Sequence, residues 1–174
     1  MVLTDVYLKE LLLKKKLIIT PFPSDESIRS THIDLHLDER LLKYSSLILD
    51  LKNPDINFAE IQMSDSGFTL APGEFILGST LETVEIPNGY QGFIETKGNI
   101  ARAGIQSHNT DGHIDPGFKG KITLEIKNNS HHSIIIYPGM LFVQIYIFEC
   151  SSLSENPYRG KYQNQKGATI YQID

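Results

Sequence analysis

Cysteine, tryptophan and long apolar runs are scarce or missing in this 174-residue sequence. The one cysteine, Cys150, excludes an intrachain disulfide framework and any cysteine-rich zinc site. Apolar runs such as Leu141–Phe148 are far shorter than the roughly 20 residues that a membrane-spanning helix needs. The first residues include Asp5 and only a short leucine run before three lysines, which is not the pattern of a signal peptide. The sequence therefore predicts a cytoplasmic protein without a membrane segment.

Several common chemical motifs are also missing. Zinc-dependent deaminases of nucleobases use an H-x-E and a P-C-x-x-C pair, which a chain with one cysteine cannot supply. There is no phosphate-binding loop of the G-x-x-x-x-G-K-[ST] type and no dinucleotide-binding glycine fingerprint. His131-His132 follow Asn128-Asn129-Ser130, a composition that favours a hairpin turn between two strands over a metal site. We therefore expect no zinc and no metal held by the protein itself.

The net charge of −5 is unevenly distributed along the chain. Residues 1–96 carry 8 Lys and Arg against 15 Asp and Glu, whereas residues 97–166 carry 8 against 5. A protein that binds a nucleic-acid polymer usually shows a dominant basic surface, and this balance argues against one. A locally basic second half suits a small anionic ligand, although ordinary scatter of charge explains it equally well.

The length fits one domain, residues 1–174, which can bury about 70% of its unfolded surface without disulfides or metals. A helix is predicted near the N-terminus, where Thr4 or Asp5 can cap a leucine-rich segment. Short apolar segments between glycines and prolines then indicate an all-β sandwich or barrel. The polar residues 151–174 are predicted to form an arm or lid. The predicted strands include Ile33–Leu37, Leu47–Leu51, Phe75–Leu77, Thr83–Ile86, Gly92–Glu95, Ile122–Ile126, Ser133–Tyr137 and Leu141–Phe148.

Residues that can do chemistry are densest between Thr96 and Glu125. The segment 97–102 places two cations around a glycine, which suits a loop that approaches phosphate but also an ordinary surface turn. The segment 108–117 crowds two carboxylates and two imidazoles between glycines, as a binding site or a long surface loop would. Alternation along Ile122–Ile126 turns Glu125 away from the apolar face. Glu125 is then either a solvated strand residue or a carboxylate aimed into a cleft.

An ordered series of motifs covers the chain nearly from end to end. They are Ile33-Asp34-Leu35-His36-Leu37, Leu70-Ala71-Pro72-Gly73-Glu74-Phe75, Thr80-Leu81-Glu82, Ala101-Arg102-x-Gly104, His108 to Gly117, Gly120 to Glu125, Tyr137-Pro138-Gly139-Met140 with Gln144, and Asn156-Pro157-Tyr158 with Lys161-Tyr162-Gln163-x-Gln165-x-Gly167. In these motifs the chain resembles the dCTP deaminases, including the bifunctional dCTP deaminase/dUTPase branch, of the trimeric dUTPase-like superfamily.

The resemblance implies a mainly β fold, a distorted jelly-roll-like β-barrel of the dUTPase-like type, in a homotrimer with active sites at subunit interfaces. It implies zinc-independent deamination of dCTP to dUTP and ammonia. Glu125 would take a proton from water, Arg102 would orient the water and the base, and Asp115 would hold the deoxyribose 3′-hydroxyl. Mg²⁺ would arrive on the triphosphate, dTTP is a candidate inhibitor, and neither a nucleic-acid polymer nor a membrane is an expected partner. The predicted nucleotide-binding residues are Lys97, Gly98, Asn99, Asp111, Ile114, Gln144, Tyr158, Lys161 and Gln165.

The chain departs from the family pattern at two places. The family has Arg-Ser-Ser where this chain has Lys97-Gly98-Asn99, so Gly98 lacks the hydroxyl that would hold the attacking water, and Lys97 lacks the arginine fork. Asp111 replaces an alanine and adds negative charge near the base. Three functions stay open: a dCTP deaminase with or without cleavage of dUTP to dUMP, a dUTPase that relies on Asp115, and a non-catalytic nucleotide-binding regulator.

Overall fold

The computed structural model describes residues 1–53 and 56–173 of the chain. Residue 174, at the end of the predicted domain and arm, lies outside the described residues. Within the described ranges two helices are formed, α1 (Asp5–Leu13) and α2 (Gly98–Arg102). The strands are β1 (Ile18–Thr20), β2 (Ile33–His36), β3 (Arg40–Tyr44), β4 (Phe58–Gln62), β5 (Phe68–Leu70), β6 (Phe75–Glu85), β7 (Tyr90–Thr96), β8 (Ile105–Gln106), β9 (His113–Ile114), β10 (Lys119–Asn128), β11 (Ile134–Ile136) and β12 (Leu141–Glu149).

The strands form two main antiparallel sheets and one small one. The larger sheet has the order β4-β3-β6-β10-β8, with β1 also paired to β6, and the second has the order β2-β12-β7-β9. The small sheet pairs β5 with β11. Both main sheets contribute side chains to one apolar core, for example Ile76 and Leu124 from the larger sheet and Leu35 and Ile145 from the second. The prediction of a mainly β fold is confirmed.

Strand β10 shows how the sequence pattern produces this fold. Ile122, Leu124 and Ile126 are buried in the core, whereas Thr123 and Glu125 alternate with them on the other side of the strand. The register places Glu125 opposite Leu77 of β6. The prediction that Glu125 faces away from the apolar core is therefore confirmed, and its carboxylate lies outside that core.

The N-terminal helix is confirmed, but its cap differs from the expectation. Thr4 occupies the N-cap position and makes no capping hydrogen bond with its side chain. Leu8, Leu11 and Leu12 are buried, so tertiary packing of this face holds the helix in place. Neither helix of the described ranges is long and apolar enough to cross a membrane.

Three local predictions were wrong. Leu47–Leu51 forms no strand: Leu47 and Ile48 are exposed, and the segment enters no sheet among the described residues. Residues 98–102 form a short helix instead of a glycine-rich loop. The turn at 129–133 is not a hairpin, because β10 and β11 pair with different strands. A short apolar run has no period that separates a strand from a loop, and pairing between distant segments is invisible locally.

Candidate functional site

A cavity of about 520 Å³ lies beside β10, and Glu125 lines it. The Oε2 atom of Glu125 accepts hydrogen bonds from the backbone N–H groups of Asn109 (2.9 Å) and Thr110 (3.0 Å). These two bonds fix the carboxylate from one side. Among the described residues, Oε1 has no hydrogen-bond partner, so it is available to a ligand or a water molecule in the cavity. A half-buried carboxylate held in this way has the geometry of a general base.

The segment that follows β8 wraps over Glu125 because β7 anchors it at two points. The hydroxyl groups of Ser107 and Thr96 lie 2.8 Å apart, and the Ile94 N–H donates to the carbonyl oxygen of Gly112 at 2.7 Å. A Cβ at Gly112 would come within 2.7 Å of the Ile94 carbonyl oxygen, so only glycine fits there. This anchoring places Asp111, His113, Ile114 and Asp115 on the wall of the cavity.

Two imidazoles of this segment are paired with carboxylates. His108 Nε2 lies 3.0 Å from an oxygen of Glu95 on β7, and the His108 ring packs edge-on against Phe93. His113 Nε2 lies 3.6 Å from Asp115 Oδ1. Among the described residues, no group of three or more histidine, cysteine, aspartate or glutamate side chains is arranged to hold a metal ion.

The C-terminal tail runs along the edge of β10 and forms another wall of the cavity. Lys121 N–H donates to the backbone oxygen of Gln165 at 3.1 Å, and the Gln165 side-chain amide donates to the Lys121 oxygen at 2.6 Å. Thr123 and Thr169 both donate to Gln165 Oε1, so that side chain is engaged within its own chain. Tyr158, Tyr162 and Tyr171 line the cavity as well.

One glycine allows the tail to approach so closely. Gly117 has a φ of +90°, and a Cβ there would lie 2.9 Å from Pro157 and 3.2 Å from the backbone nitrogen of Tyr158. Tyr158 N–H donates to the oxygen of Pro116 at 2.8 Å, which seats the start of the tail beside Asp115. The Tyr158 ring then packs against Phe118.

A second group of predicted site residues surrounds Asp34 on β2. The carboxylate of Asp34 is fully buried, and its Oδ2 accepts hydrogen bonds from Lys97 Nζ (2.6 Å) and Arg29 Nε (3.2 Å). Gln144 of β12 lies opposite Asp34 in the sheet and donates from its amide nitrogen to Asp34 Oδ1 at 3.4 Å. The same amide nitrogen lies 2.7 Å from His32 Nε2. We refer to these five residues as the Asp34 cluster.

Charge in the Asp34 cluster is fixed by its contacts. Burial alone raises the pKa of Asp34, but hydrogen bonds from Lys97 and Arg29 outweigh it, so the pKa of Asp34 lies below its ordinary value. Burial lowers the pKa of His32, and this effect exceeds the opposing attraction of Asp34. At neutral pH the cluster therefore contains two cations, one carboxylate and a neutral imidazole.

The predicted residues thus divide into two groups within one chain. The cavity brings together Glu125, Asp115, Asp111, Ile114, Tyr158 and Gln165. The other group comprises Lys97 and Gln144 at Asp34, with Gly98, Asn99 and Arg102 in α2. The guanidinium of Arg102 donates to the Gly98 oxygen at 3.3 Å, and no hydrogen bond or ion pair joins it to Glu125 among the described residues. Lys161 donates to the Gln172 oxygen at 2.7 Å in the tail.

Sequence reasoning missed Asp34 and Arg29 as parts of this arrangement. Asp34 was recognised only as a motif position, although a carboxylate between two buried apolar residues of a strand signals that cations lie nearby. Arg29 had no signal beyond its charge. Thr123, which alternates with Glu125 on β10 and contacts the tail, follows from the strand period alone.

The fold of the chain is similar to those of a dCTP deaminase and a dUTPase. A dCTP deaminase of Agrobacterium tumefaciens superposes with a TM-score of 0.66 at 19% identity, over 84% of this chain and 47% of that one. The present chain therefore spans about half the length of that protein. A mutant dUTPase of Staphylococcus bacteriophage 80alpha superposes with a TM-score of 0.53 at 15% identity, over 83% of this chain and 96% of that one. At these identities the likeness concerns the fold.

Comparison of sequences identifies the family more specifically than comparison of structures does. A family model described as dCTP deaminase-like matches residues 2–150. A dUMP-forming dCTP deaminase of Persephonella marina is 37% identical over 177 residues, which cover 99% of this chain and 97% of that relative. The chain belongs to the dCTP deaminase-like family, as its motifs predicted.

Proposed function

We propose that the protein converts dCTP to dUMP by deaminating the cytosine and then cleaving the resulting dUTP. The observation that carries the proposal is the carboxylate of Glu125, held by two backbone N–H groups at the wall of a cavity that has room for a nucleoside. The relative from Persephonella marina is a dUMP-forming dCTP deaminase, which favours both steps over deamination alone.

In the first step Glu125 accepts a proton from water, and the resulting hydroxide attacks C4 of cytosine. Glu125 then returns the proton to the amino group, the C4–N bond breaks with loss of ammonia, and the proton of the C4 hydroxyl moves to N3, which gives the uracil base of dUTP. In the second step another water attacks the α-phosphorus, and the bond to the diphosphate group breaks to give dUMP and diphosphate. Asp115, on the same wall, holds the deoxyribose in both steps. Mg²⁺ enters as part of the substrate, bound to the triphosphate oxygens.

The division of the predicted residues into two groups supports a site shared between subunits. The cavity of one protomer would bind the base and sugar, whereas α2 and the Asp34 cluster of a neighbouring protomer would supply Arg102 and the phosphate-binding cations. A cyclic homotrimer repeats this contact three times with one kind of interface. The hydroxyl that Gly98 lacks would then be missing from the part of the site that the neighbouring protomer contributes. The Asn99 side chain, the Thr110 hydroxyl or an ordered water would replace it.

The reaction is tested by chromatography of the products after incubation with dCTP and Mg²⁺. The proposal expects ammonia, dUMP and diphosphate from dCTP, and dUMP from added dUTP. Cleavage of dUTP without release of ammonia from dCTP would replace the proposal with a dUTPase. Binding of either nucleotide without any product would replace it with a non-catalytic nucleotide-binding protein.

The shared site is tested by measuring ammonia release from a mixture of two variants that are each expected to lose it, Glu125→Gln and Lys97→Ala, which damage different groups. In randomly mixed trimers about a quarter of the sites combine two intact halves, so about a quarter of the wild-type activity should return. The control mixes Glu125→Gln with Asp115→Asn, two changes in the same cavity, which cannot complement one another. Activity that stays absent from the first mixture, once exchange of subunits is verified by native mass spectrometry, would place the site within one chain.

A further inference from the structure

The Asp34 cluster contains one cation that the family motifs do not cover. Arg29 lies between β1 and β2 and uses its Nε atom to contact Asp34 Oδ2. Its side chain is 49% exposed, against 20% for Lys97. Among the described residues, the terminal nitrogens of Arg29 have no hydrogen-bond partner. The outward part of the cluster is therefore a guanidinium fork, a group that matches phosphate oxygens in two places at once.

The electrostatic balance favours an anion at this position. Lys97 and Arg29 share a single buried carboxylate, which leaves one excess positive charge in the cluster. Asp34 fixes the positions of both cations, so little side-chain entropy is lost when a ligand binds them. Glu95, the carboxylate opposite Gln144 on β7, pairs with His108 on the side of the cavity. No ion pair joins Glu95 to Lys97 or Arg29 among the described residues.

Gln144 cannot serve as the phosphate donor in this arrangement. Its one amide nitrogen supplies two N–H bonds, and these go to His32 Nε2 and Asp34 Oδ1. The flipped amide would place its oxygen beside the Asp34 carboxylate, where two acceptors repel. Gln144 therefore offers a ligand only its carbonyl oxygen, so hydrogen bonds to phosphate must come from another residue of the cluster.

We propose that Arg29 is a further phosphate-binding residue of the nucleotide site, with its guanidinium held beside Lys97 by Asp34 and directed at the β- and γ-phosphates. This inference rests on the proposed function, because it assigns the triphosphate end of dCTP to the Asp34 cluster. The guanidinium fork also supplies the two-point contact that lysine lacks at position 97. Inorganic diphosphate carries the same chemistry and is a ligand of the same position.

The test uses calorimetric binding to the full-length chain with the Glu125→Gln change, so that no ligand is consumed. Arg29→Gln should weaken binding of dCTP–Mg²⁺ and of inorganic diphosphate by roughly ten- to a hundredfold, the range for a lost charged hydrogen bond. Binding of dCMP, which lacks the β- and γ-phosphates, should stay unchanged. Arg29→Lys should recover part of the affinity, because it restores the charge without the fork.

The matched control is Arg40→Gln, since Arg40 is also half-exposed and paired with a carboxylate, Glu60, and both residues belong to the larger sheet, which contains neither β2 nor β12. Equal affinities for dCTP and diphosphate in Arg29→Gln and Arg40→Gln would overturn the assignment. An equal loss for dCTP and dCMP would also overturn it, because it would show a structural role. A wild-type protein that binds both polyphosphates but releases no ammonia would refute the proposed reaction while leaving the Arg29 assignment in place.

Discussion

The change Glu125→Gln tests the central assignment, because it alters one atom of the carboxylate and keeps its shape. The amide oxygen can still accept the two N–H bonds from Asn109 and Thr110, so the segment over the cavity should keep its position. Both of these residues are exposed, and water can satisfy their N–H groups if the amide turns away. We therefore expect a loss of at most about 1 kcal/mol in the free energy of unfolding.

Activity should respond far more strongly than stability. An amide cannot take a proton from water, and removal of a general base typically costs ~10²–10⁴ in rate, or roughly 3–5 kcal/mol of transition-state stabilisation. The loss should appear in kcat for ammonia release, measured in a coupled assay, with the KM for dCTP changed less than threefold, about 0.7 kcal/mol. Cleavage of added dUTP should fall much less, because that step attacks phosphorus.

Glu60→Gln provides a matched control, since Glu60 is an exposed strand carboxylate of β4 away from the cavity. The control should keep wild-type kinetics. A Glu125→Gln protein that folds, binds dCTP and still releases ammonia at near wild-type rates would refute the assignment of Glu125 as the base. A fall in dUTP cleavage equal to the fall in deamination would instead indicate a role in binding the nucleotide.

Four further changes test other parts of the site. Asp115→Asn should lower both ammonia and diphosphate release by at least tenfold, since one lost hydrogen bond to the sugar affects both steps; a change in only one product would contradict this. Lys161→Ala should raise the KM for dCTP and leave kcat nearly constant in steady-state assays, whereas a loss confined to kcat would mean that the tail lysine takes part in chemistry. Gly98→Ser should fold normally, since a Cβ there meets only Arg102 Nη1 at 3.5 Å, and should raise ammonia release by up to about tenfold if the hydroxyl is limiting; unchanged rates would show that position 98 takes no part. The pKa of Asp34 is lower in the folded state than in the unfolded state, so its ionisation stabilises the protein above the unfolded pKa, and this stability is lost as the pH falls through the folded pKa. Asp34→Asn removes this group, so the free energy of unfolding, measured by denaturation at a series of pH values, should depend less on pH below about pH 4.

The helices and strands that are defined by the spacing of apolar residues within their own segment could be predicted from the sequence. The alternation along Ile122–Ile126 gave both the strand and the face on which Glu125 lies. The leucine spacing gave α1. Leu47–Leu51 has the same apolar composition as a core strand, yet Leu49 and Leu51 line the cavity instead of the core. Leu49 and Leu51 are themselves exposed, so an apolar composition alone does not predict that a segment enters the core.

The site could be predicted as a set of residues but not as an arrangement. Motif order places Arg102 before Asp115 and Glu125, and nothing in that order reveals that Arg102 lies with Gly98 in α2 while the two carboxylates line a cavity. Glu125 and α2 are attached to different sheets, because β10 belongs to one sheet and β7, the strand that leads into α2, belongs to the other. In the proposed homotrimer, Arg102 and the two carboxylates would meet only when a second copy of the chain is added.

Asp34 shows both what the local sequence predicts and what only the three-dimensional fold decides. Its position between Ile33 and Leu35, all three buried, already requires a compensating cation, because an unpaired buried carboxylate costs several kcal/mol. One partner, Arg29, lies five residues earlier and is within reach of local reasoning. The other, Lys97, lies 63 residues later and reaches Asp34 because β12 pairs with both β2, which carries Asp34, and β7, which ends just before Lys97. A buried charge in a strand thus predicts that cations lie around it, and the fold decides which cations these are. The more exposed of the two, Arg29, is therefore a residue that no motif contains.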